Sequence, residues 1–235
     1  MSTKLASCVI SCYNEEENIP ELLNQIKDNN LDKKIEFVIV NNGSTDNSWK
    51  IILEKQNYFP EIKFLNVQED LGWGNGIVQG LQHVTSEYVG WIHGDLQYNL
   101  KILLKVLELL EEPSNRHEDI LIKGRRAKRK FIENLFTLMM SIIASILLGK
   151  ILYDINAQPN FFSRKKLKEF INTPKDLMLD LYLYNMIYKK KNKKIIRIPV
   201  TQEERKRGSS SWNRNFASKF LLGFKMLIGI IKIGI

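Results

Sequence analysis

The first 112 residues alternate between short apolar runs and longer stretches in which apolar residues recur with helical spacing. The apolar runs are rich in Val, Ile and aromatic residues, and they predict strands at residues 8–12, 37–40, 64–67 and 88–92. The stretches between and after them predict helices at residues 18–27, 46–55, 76–84 and 99–111. Because strands and helices alternate with short connections, we expect an α/β fold with a mostly parallel sheet flanked by helices.

The pattern changes in the second half of the chain. Further elements are predicted as strands at 120–123 and 194–200 and as a helix at 176–189. Residues 135–148 carry no charge, but they are fewer than the about 18 residues needed to span a bilayer. They predict a buried core helix or one in the membrane interface. The apolar tail at 215–235 predicts an amphipathic C-terminal helix lying on a membrane, with a short spanning segment as the alternative.

The formal charge of +9 is spread very unevenly along the chain. Residues 1–115 contain 9 basic and 17 acidic side chains, whereas residues 116–235 contain 26 basic and 9 acidic ones. Such asymmetry predicts that the second half meets an anion, which could be nucleic acid, a phosphorylated ligand or a membrane surface. Hydrophobic residues at 44% and charged residues at 26% exclude a disordered chain.

The two cysteines, Cys8 and Cys12, lie in one predicted strand, about 13 Å apart at about 3.3 Å per residue. That separation is too large for a disulfide, so we expect two buried free thiols in a reducing compartment. The N-terminus does not have the pattern of a signal peptide. We therefore expect a cytoplasmic protein, peripheral on the cytoplasmic face of a membrane.

Four polar clusters follow four successive predicted strands. They are residues 11–15, 41–46, 70–76 and 93–97. Turn and helix-cap chemistry accounts for each cluster by itself. Ligands of such sheets bind at the carboxyl ends of the strands, however, and four clusters there in succession predict one shared ligand site.

The last cluster is the candidate metal site. Asp95 and Gln97 are two residues apart, so in extended chain both side chains face the same way. Hard oxygen ligands of this kind bind Mg²⁺ or Mn²⁺, with substrate phosphates completing the coordination. His93 lies two residues before Asp95, so its side chain would face the same way, and it is a third candidate ligand. The alternative is a structural role for His93.

The order of these motifs resembles a known family. Val-Ile-Ser-Cys-Tyr-Asn-Glu, Gly-Ser-Thr-Asp, Leu-Gly-Trp-Gly and Asp-Leu-Gln follow one another in the first half, and Asp-Ile-Asn-Ala-Gln-Pro-Asn-Phe-Phe begins at residue 154. The chain is similar to the family 2 glycosyltransferases, and most similar to their dolichol-phosphate mannose synthase-like, polyprenyl-phosphate branch. The resemblance implies a GT-A-type nucleotide-binding fold. We expect a domain at 1–214, with a nucleotide-sugar and metal half at 1–112 and an acceptor half at 113–214.

Several positions depart from the family pattern. The family usually has Pro at position 11 and Asp at 41, 42 and 93, where this chain has Ser11, Asn41, Asn42 and His93. The two changes from Asp to Asn, at positions 41 and 42, remove charge from the nucleotide pocket and predict an altered base or sugar preference. The change at position 93 bears on metal affinity, or on which metal is chosen, whereas Asp95 and Gln97 argue that metal-dependent chemistry is kept.

The resemblance also implies site residues. Those expected to bind the nucleotide sugar are Ser11, Tyr13, Glu15, Asn42, Ser44, Gly72, Gly74 and Asp95. Those expected to bind an acceptor phosphate are Arg126, Arg129, Arg205 and Ser210, because arginine pairs bidentately with phosphate. Asp95, Arg126, Arg129 and Asp154 are the candidate catalytic residues, and Asp180 is a second candidate base.

We therefore predict a metal-dependent, inverting glycosyltransferase that moves a sugar from a nucleotide diphosphate sugar to a polyprenyl phosphate at a membrane surface. Transfer to a sugar hydroxyl in polysaccharide or glycolipid synthesis is the alternative. A nucleotidyltransferase would need a basic triphosphate-binding loop near the N-terminus, where residues 1–26 contain only Lys4. A non-catalytic membrane-binding module is a further alternative. A nucleic-acid partner would explain the basic half but not the acidic half or the four clusters, so none is expected.

Overall fold

A seven-stranded sheet forms the centre of the protein. The structure is a computed structural model and describes residues 4–127, 131–170, 172–205 and 228–230, without the side chains of 131–137 and 140. The strands are β1 (Ala6–Cys12), β2 (Ile35–Asn42), β3 (Ile62–Val67), β4 (Tyr88–Trp91), β5 (Ile120–Ala127), β6 (Asn160–Ser163) and β7 (Lys194–Thr201). Their order in the sheet is β3-β2-β1-β4-β6-β5-β7.

Helices cover both faces of this sheet. They are α1 (Ile19–Asp28), α2 (Leu31–Lys34), α3 (Ser48–Lys55), α4 (Trp73–Leu81), α5 (Ile102–Glu111), α6 (Phe131–Leu148) and α7 (Met178–Tyr188). Apolar side chains of α1 and α5 pack on one face in a core cluster that includes Ile10 and Phe37. Side chains of α4 and α7 pack on the other face around Val9 and Val38. Alternate residues of β1 therefore enter opposite cores, as expected of a strand buried on both faces.

The predicted fold class is confirmed, with one strand that the pattern missed. All six predicted strands are present, as are the helices predicted at 18–27, 46–55, 76–84, 99–111 and 176–189, with ends moved by up to a few residues. The strand pairs β1–β2, β1–β4, β2–β3 and β5–β7 are parallel, whereas β6 is antiparallel to both of its neighbours. β6 has only four residues, two of them polar, so it has no strand-like apolar run. Its Phe161 and Phe162 nevertheless enter the two opposite cores.

Two glycines make room for the chain that enters β6. A Cβ atom at Gly90 of β4 would lie 2.1 Å from the carbonyl oxygen of Asn160. A Cβ atom at Gly124 of β5 would lie 2.0 Å from the carbonyl oxygen of Gln158. Both distances are far inside van der Waals contact, so only glycine lets the segment 158–160 fit between β4 and β5.

The apolar run at 135–148 lies within α6. None of the helices in the described ranges is long and apolar enough to cross a membrane. Residues 228–230 are helical, with Ile230 buried, while the remainder of the predicted tail helix lies outside the described residues. The tail helix and the division into two halves stay predictions.

Both cysteines are free and buried, as predicted. Burial raises the pKa of each thiol well above its usual range. Cys8 and Cys12 are therefore small core residues that are protonated at neutral pH.

Glu36 provides a pH-dependent test of this fold. Burial raises the pKa of its carboxyl group, but hydrogen bonds from Lys63, Ser7 and Thr85 outweigh burial and lower the pKa to about 2. Lys63 Nζ lies 2.6 Å from Glu36 Oε1, and the Thr85 backbone N–H donates to Oε2 over 2.8 Å. We expect Glu36→Gln to lower the free energy of unfolding by about 1–3 kcal/mol at neutral pH.

The effect should depend on pH in one direction. Because the folded pKa lies below the unfolded value of 4.5, the ionised group stabilises the fold fully above 4.5, and the stabilisation is lost as pH falls towards about 2. The difference between the unfolding free energies of variant and wild type, measured with urea, should become smaller as the pH falls from 4.5 towards about 2. Glu108→Gln removes an exposed i,i+3 pair and should change stability by less than about 0.5 kcal/mol. A difference for Glu36→Gln that is constant with pH would contradict this account.

Candidate active site

Three of the four polar clusters are joined by hydrogen bonds at the carboxyl ends of β1 and β2. The backbone N–H of Asn14 donates to Ser44 Oγ over 3.0 Å, and that of Thr45 donates to Asn14 Oδ1 over 2.8 Å. Asn42 Nδ2 donates to Asp70 Oδ1 over 3.0 Å and to the carbonyl of Gly72 over 3.2 Å. The sheet therefore brings residues from three loops into one site, as the strand-end argument predicted.

The fourth cluster lies beside the first. A Cβ atom at Gly94 would be 2.8 Å from Cys12 Sγ, so the chain after β4 runs directly against the end of β1. Asp95 lines the same cavity as Asn18, and Asn18 Nδ2 donates a hydrogen bond to the Glu15 carboxylate. Asp95 and Glu15 therefore belong to one site.

Glu15 is buried in the loop between β1 and α1. Its backbone N–H donates to Ser48 Oγ over 2.9 Å. Its carboxylate accepts a hydrogen bond from Asn18 Nδ2 and forms an ion pair with Arg205. Burial is the largest effect on its pKa and raises it, while Asn18 and Arg205 act in the opposite direction. The ion pair attaches the segment after β7 to the predicted nucleotide site.

Gln97 makes a second attachment to the same segment. The backbone N–H of Glu203 donates to the carbonyl of Gln97 over 2.8 Å, and Gln97 Nε2 donates to the carbonyl of Glu203 over 3.0 Å. Gln97 Oε1 accepts from Gln202 Nε2 over 3.3 Å. Both ends of the Gln97 amide therefore bind residues 202 and 203.

Asp95 faces an open cavity of about 260 Å³. The cavity is lined by Asn18, Glu21, Gln25, Asp95, Leu96, Asn99 and Glu203. One carboxylate oxygen of Asp95 accepts the backbone N–H of Gln97 over 3.2 Å. The ring of His93 lies against Trp73 and Tyr98, with centroid distances of 4.8 and 6.3 Å. Within the described residues no group of three or more acidic, histidine or cysteine side chains is arranged to hold a metal ion.

Arg126 and Asp154 form a nearly buried ion pair. The Asp154 carboxylate accepts the backbone N–H of Arg126 at Oδ2 over 2.6 Å, and it accepts Arg126 Nε at Oδ1 over 2.7 Å. Arg126 Nη2 lies 2.6 Å from Asp154 Oδ1, and both side chains are 9% exposed. Arg126 Nη1 also donates to Gln202 Oε1 over 3.4 Å. Asp154 thus fixes the orientation of the guanidinium group.

Asp180, the second candidate base, is only 1% exposed. Its carboxylate accepts hydrogen bonds from Trp91 Nε1 at 2.8 Å, Asn160 Nδ2 at 2.9 Å and Gln158 Nε2 at 3.0 Å. Burial raises its pKa, and the charge of Lys123 opposes this effect.

Lys123 is a fully buried lysine to which the sequence pattern assigned no role. Its Nζ donates to the carbonyl of Ala157 over 3.0 Å and to Asn160 Oδ1 over 2.8 Å. Burial lowers its pKa to about 7. In the sequence, Lys123 ends the apolar run 120–123, and a lysine in that position indicated the end of a strand rather than a buried side chain.

The glycines of the third cluster shape the walls of the site. Cβ atoms at Gly72 and Gly74 would lie 2.4 and 2.6 Å from the carbonyl oxygens of Lys175 and Asp176, so these glycines let the chain before α7 approach α4. A Cβ atom at Gly76 would be 2.2 Å from Ser11 Oγ. Tyr13 is 38% exposed at the rim of the site.

The predicted acceptor residues are described in part. Arg126 contacts the segment after β7 through its hydrogen bond to Gln202. Arg205 belongs to that segment and forms the ion pair with Glu15. Arg129 and Ser210 lie outside the described residues.

A family model matches most of this chain, and curated proteins match it as well. The model of "Glycosyl transferase family 2" matches residues 7–191. A dolichol-phosphate mannosyltransferase of Pyrococcus furiosus is 26% identical over 212 residues, covering 87% of this chain and 58% of that protein. A poly-beta-1,6-N-acetyl-D-glucosamine synthase of Staphylococcus epidermidis is 32% identical over 90 residues, covering 38% of this chain and 21% of that protein. The chain thus spans less than two thirds of the length of either relative.

Solved structures confirm the GT-A-type fold. Glucosyl-3-phosphoglycerate synthase from Mycobacterium tuberculosis, crystallised with Mn²⁺, UDP-glucose and phosphoglyceric acid, superposes with a TM-score of 0.73 at 16% identity. That match covers 98% of this chain and 80% of the other. A mannosyltransferase from Pyrobaculum calidifontis, in complex with GDP-mannose and Mn²⁺, has a TM-score of 0.65 at 17% identity, covering 99% and 70%.

The Arg126–Asp154 pair gives a test by double-mutant cycle. Asp154→Asn leaves a nearly buried guanidinium without its counter-charge, and we expect a loss of about 3–5 kcal/mol in the free energy of unfolding. Arg126→Gln should cost a similar amount. The double variant should cost clearly less than the sum of the two, by about 1–3 kcal/mol, because neither charge is then left unpaired. Additive losses in urea unfolding would show that the two side chains do not depend on each other.

Proposed function

The chain belongs to glycosyl transferase family 2, and from that premise we propose that it transfers a sugar from a nucleotide diphosphate sugar to a polyprenyl phosphate, with inversion at the anomeric carbon. The donor would lie at the carboxyl ends of β1, β2 and β4. Support for this placement comes from the hydrogen bonds that join the strand-end loops there. Ser11, Tyr13, Glu15, Asn42, Ser44, Gly72 and Gly74 are the residues to which we assign nucleoside and sugar binding.

A divalent cation, Mg²⁺ or Mn²⁺, fits Asp95. Mg²⁺ is typically bound by one or two protein carboxylates together with substrate phosphates, and Asp95 supplies one carboxylate at an open cavity. When bound, such an ion neutralises the charge that develops on the departing nucleoside diphosphate. Gln97 is bonded to residues 202 and 203 and His93 is stacked on aromatic rings, so both rank behind Asp95 as ligands.

We choose the acceptor from the hydrogen bonds and burial of the two candidate bases, Asp154 and Asp180. Asp154 has both oxygens engaged by Arg126, and Asp180 is buried among three donors. Transfer to a sugar hydroxyl needs a base to remove the proton, whereas a phosphate oxygen is already ionised and needs only to be positioned. Arg126, held by Asp154, can provide that positioning as a forked donor. We assign Arg205, Arg129 and Ser210 to the same acceptor phosphate, and we place the enzyme peripherally on the cytoplasmic face of a membrane.

Transfer to a sugar hydroxyl is the second candidate. One observation favours it, namely the similarity of 90 residues to poly-beta-1,6-N-acetyl-D-glucosamine synthases. It would require Asp154 or Asp180 to give up hydrogen bonds and act as a base. The family match sets aside a nucleotidyltransferase and a non-catalytic membrane module.

Asp95→Asn tests the donor and metal assignment. In the wild type we expect a nucleotide diphosphate sugar to raise the melting temperature only when Mg²⁺ or Mn²⁺ is present. The variant should lose this shift, and sugar transfer should fall by about 100-fold or more, since a metal ligand that carries charge is removed. Glu21→Gln removes a carboxylate from the same cavity and should leave both readouts within about twofold. Donor stabilisation that survives complete removal of metal would refute the assignment.

Arg126→Lys tests the acceptor assignment. Lysine keeps the charge but loses the fork that pairs with phosphate, so we expect the KM for polyprenyl phosphate to rise about tenfold while the KM for the donor stays constant. Wild-type transfer should be seen with polyprenyl phosphate and not with the unphosphorylated polyprenol. Faster transfer to a sugar hydroxyl than to any lipid phosphate would establish the second candidate instead.

A further inference from the structure

Lys123 has no place among the donor and acceptor contacts proposed above, and it is a lysine at a position that an apolar residue would fill. It is completely buried in β5, and its Nζ lies 5.9 Å from the ring centroid of Tyr184 on α7. Burying an ammonium group costs free energy unless hydrogen bonds and other charges compensate for the lost water. The partners of this group therefore indicate what the lysine does.

The ammonium group of Lys123 holds the chain that leads into β6. Nζ donates to the carbonyl of Ala157 over 3.0 Å and to Asn160 Oδ1 over 2.8 Å. The backbone N–H of the next residue, Gly124, donates to the carbonyl of Pro159 over 2.9 Å. β5 therefore holds this segment at three points, and the lysine supplies two of them.

Ala157 ends a turn that begins at Asp154. The backbone N–H of Ala157 donates to the carbonyl of Asp154 over 3.1 Å. Asp154 has a φ of 46°, in the left-handed region, which a residue with a side chain adopts only where its surroundings hold it. Two contacts with β5 hold the turn, one between Lys123 and the Ala157 carbonyl and the other between Arg126 and the Asp154 carboxylate.

The direction of the Arg126 guanidinium group depends on this turn. Its Nε lies 2.7 Å and its Nη2 2.6 Å from Asp154 Oδ1, so the carboxylate sets the orientation of the group. Without the bond from Lys123 to the Ala157 carbonyl, the turn would be held at Asp154 alone. The carboxylate would then change its direction with the backbone, and the guanidinium group would follow it.

We propose that Lys123 is a positioning residue of the acceptor site. It acts through the carbonyl of Ala157 and the carboxylate of Asp154 on the guanidinium group of Arg126. The inference rests on the proposed function in one respect, that Arg126 binds the acceptor phosphate. The competing explanation is that Lys123 only balances the charge of Asp180, in which case the lysine matters for stability alone.

The kinetics of Lys123→Met separate the two explanations. Methionine is similar in length but donates no hydrogen bond, so we expect the KM for polyprenyl phosphate to rise about tenfold. The KM for the nucleotide diphosphate sugar should stay within about twofold. The assay is run well below the melting temperature of the variant, which the unpaired charge of Asp180 lowers. A fall in kcat with both KM values unchanged would reflect a smaller folded fraction and would overturn the proposal.

Lys166 offers a matched control at the opposite edge of the sheet. It is also buried, and its Nζ lies 2.7 Å from Asp119 Oδ1 and 3.2 Å from Glu169 Oε1. It follows β6, which runs antiparallel to β4 and so ends away from the candidate site. Lys166→Met should lower the melting temperature and leave both KM values within about twofold. An equal rise in the acceptor KM of both lysine variants would show that lost stability is the cause.

A double variant restores stability without restoring the hydrogen bond. Lys123→Met/Asp180→Asn removes both buried charges, and the amides of Gln158 and Asn160 can turn over to present their oxygens at position 180. Gln158 Oε1 has no hydrogen-bond partner among the described residues, and Asn160 Oδ1 is released by the loss of the lysine. The variant should therefore recover most of the melting temperature that Lys123→Met loses.

The acceptor affinity of the double variant should stay low. Its dissociation constant for polyprenyl phosphate is measured by equilibrium binding, so that a role for Asp180 in turnover does not interfere. We expect a value about tenfold above that of the wild type, because the carbonyl of Ala157 still lacks its donor. Recovery of both stability and affinity would show that Lys123 acts only as a counter-charge, and the proposal would be wrong.

A measurement on Arg126 itself separates this inference from the proposed function. With arginine labelled for NMR, exchange of the Arg126 Nε–H with water should be about tenfold faster in Lys123→Met, because Asp154 holds it less firmly. Arg164 Nε, which donates to the carbonyl of Ser86 over 2.8 Å, is the internal reference and should not change. If the wild type transfers no sugar to polyprenyl phosphate, the proposed function fails, while this exchange rate still decides the role of Lys123. An unchanged rate at Arg126 would overturn the inference alone.

Discussion

The carboxylate of Asp180, buried at the middle of the sheet, is the interaction on which the architecture depends. It binds Trp91 at the end of β4, Asn160 at the start of β6 and Gln158 just before it, and α7 carries it. An ion in this position must have its hydrogen bonds satisfied, because an unpaired buried charge costs several kcal/mol. Asn160 binds Lys123 at its other end, and the charge of Lys123 opposes the rise that burial causes in the pKa of Asp180. The network therefore joins β3-β2-β1-β4 to β6-β5-β7, and it accounts for a short strand with little strand propensity of its own.

The same network reaches the site through the chain that precedes β6. Lys123 donates a hydrogen bond to the carbonyl of Ala157, three residues after Asp154. Asp154 in turn orients Arg126, which lies on β5 together with Lys123. Arg126 binds Gln202, whose neighbour Glu203 is bonded to Gln97. The acidic first half and the basic second half of the chain thus meet across the cavity through specific pairs rather than through general attraction. Under the proposed function, the carboxylates of the first half would lie near the donor and the arginines of the second half opposite them.

The sequence allowed much of this to be predicted, for reasons that the structure makes clear. Strands such as β1 and β2 are buried on both faces, so their apolar runs are unmistakable, and the residues that follow them meet because the strands are parallel. β6 was missed because Asn160 and Ser163 are polar, and the partner of the Asn160 amide, Asp180, lies in a later helix. The Glu15–Arg205 pair was missed for a related reason: the two residues were assigned to different ligands, and no local pattern indicates that they contact each other. Gly72 and Gly74 were assigned to nucleotide-sugar binding, and no local pattern indicated that they also make room for the backbone of Lys175 and Asp176.

The span of the Glu15–Arg205 contact has a consequence for how the protein is made. The two residues are 190 positions apart, and β5 can pair with β7 only after the intervening chain has emerged from the ribosome. Contacts of such long sequence separation close slowly, because the entropy of the loop is lost before the contact stabilises the fold. During synthesis, the early strands β1 to β4 therefore exist without the partner for the exposed edge of β4. Until β6 emerges, the nascent sheet exposes an unpaired edge at β4, so protection of that edge by chaperones or by rapid completion becomes part of how this protein folds.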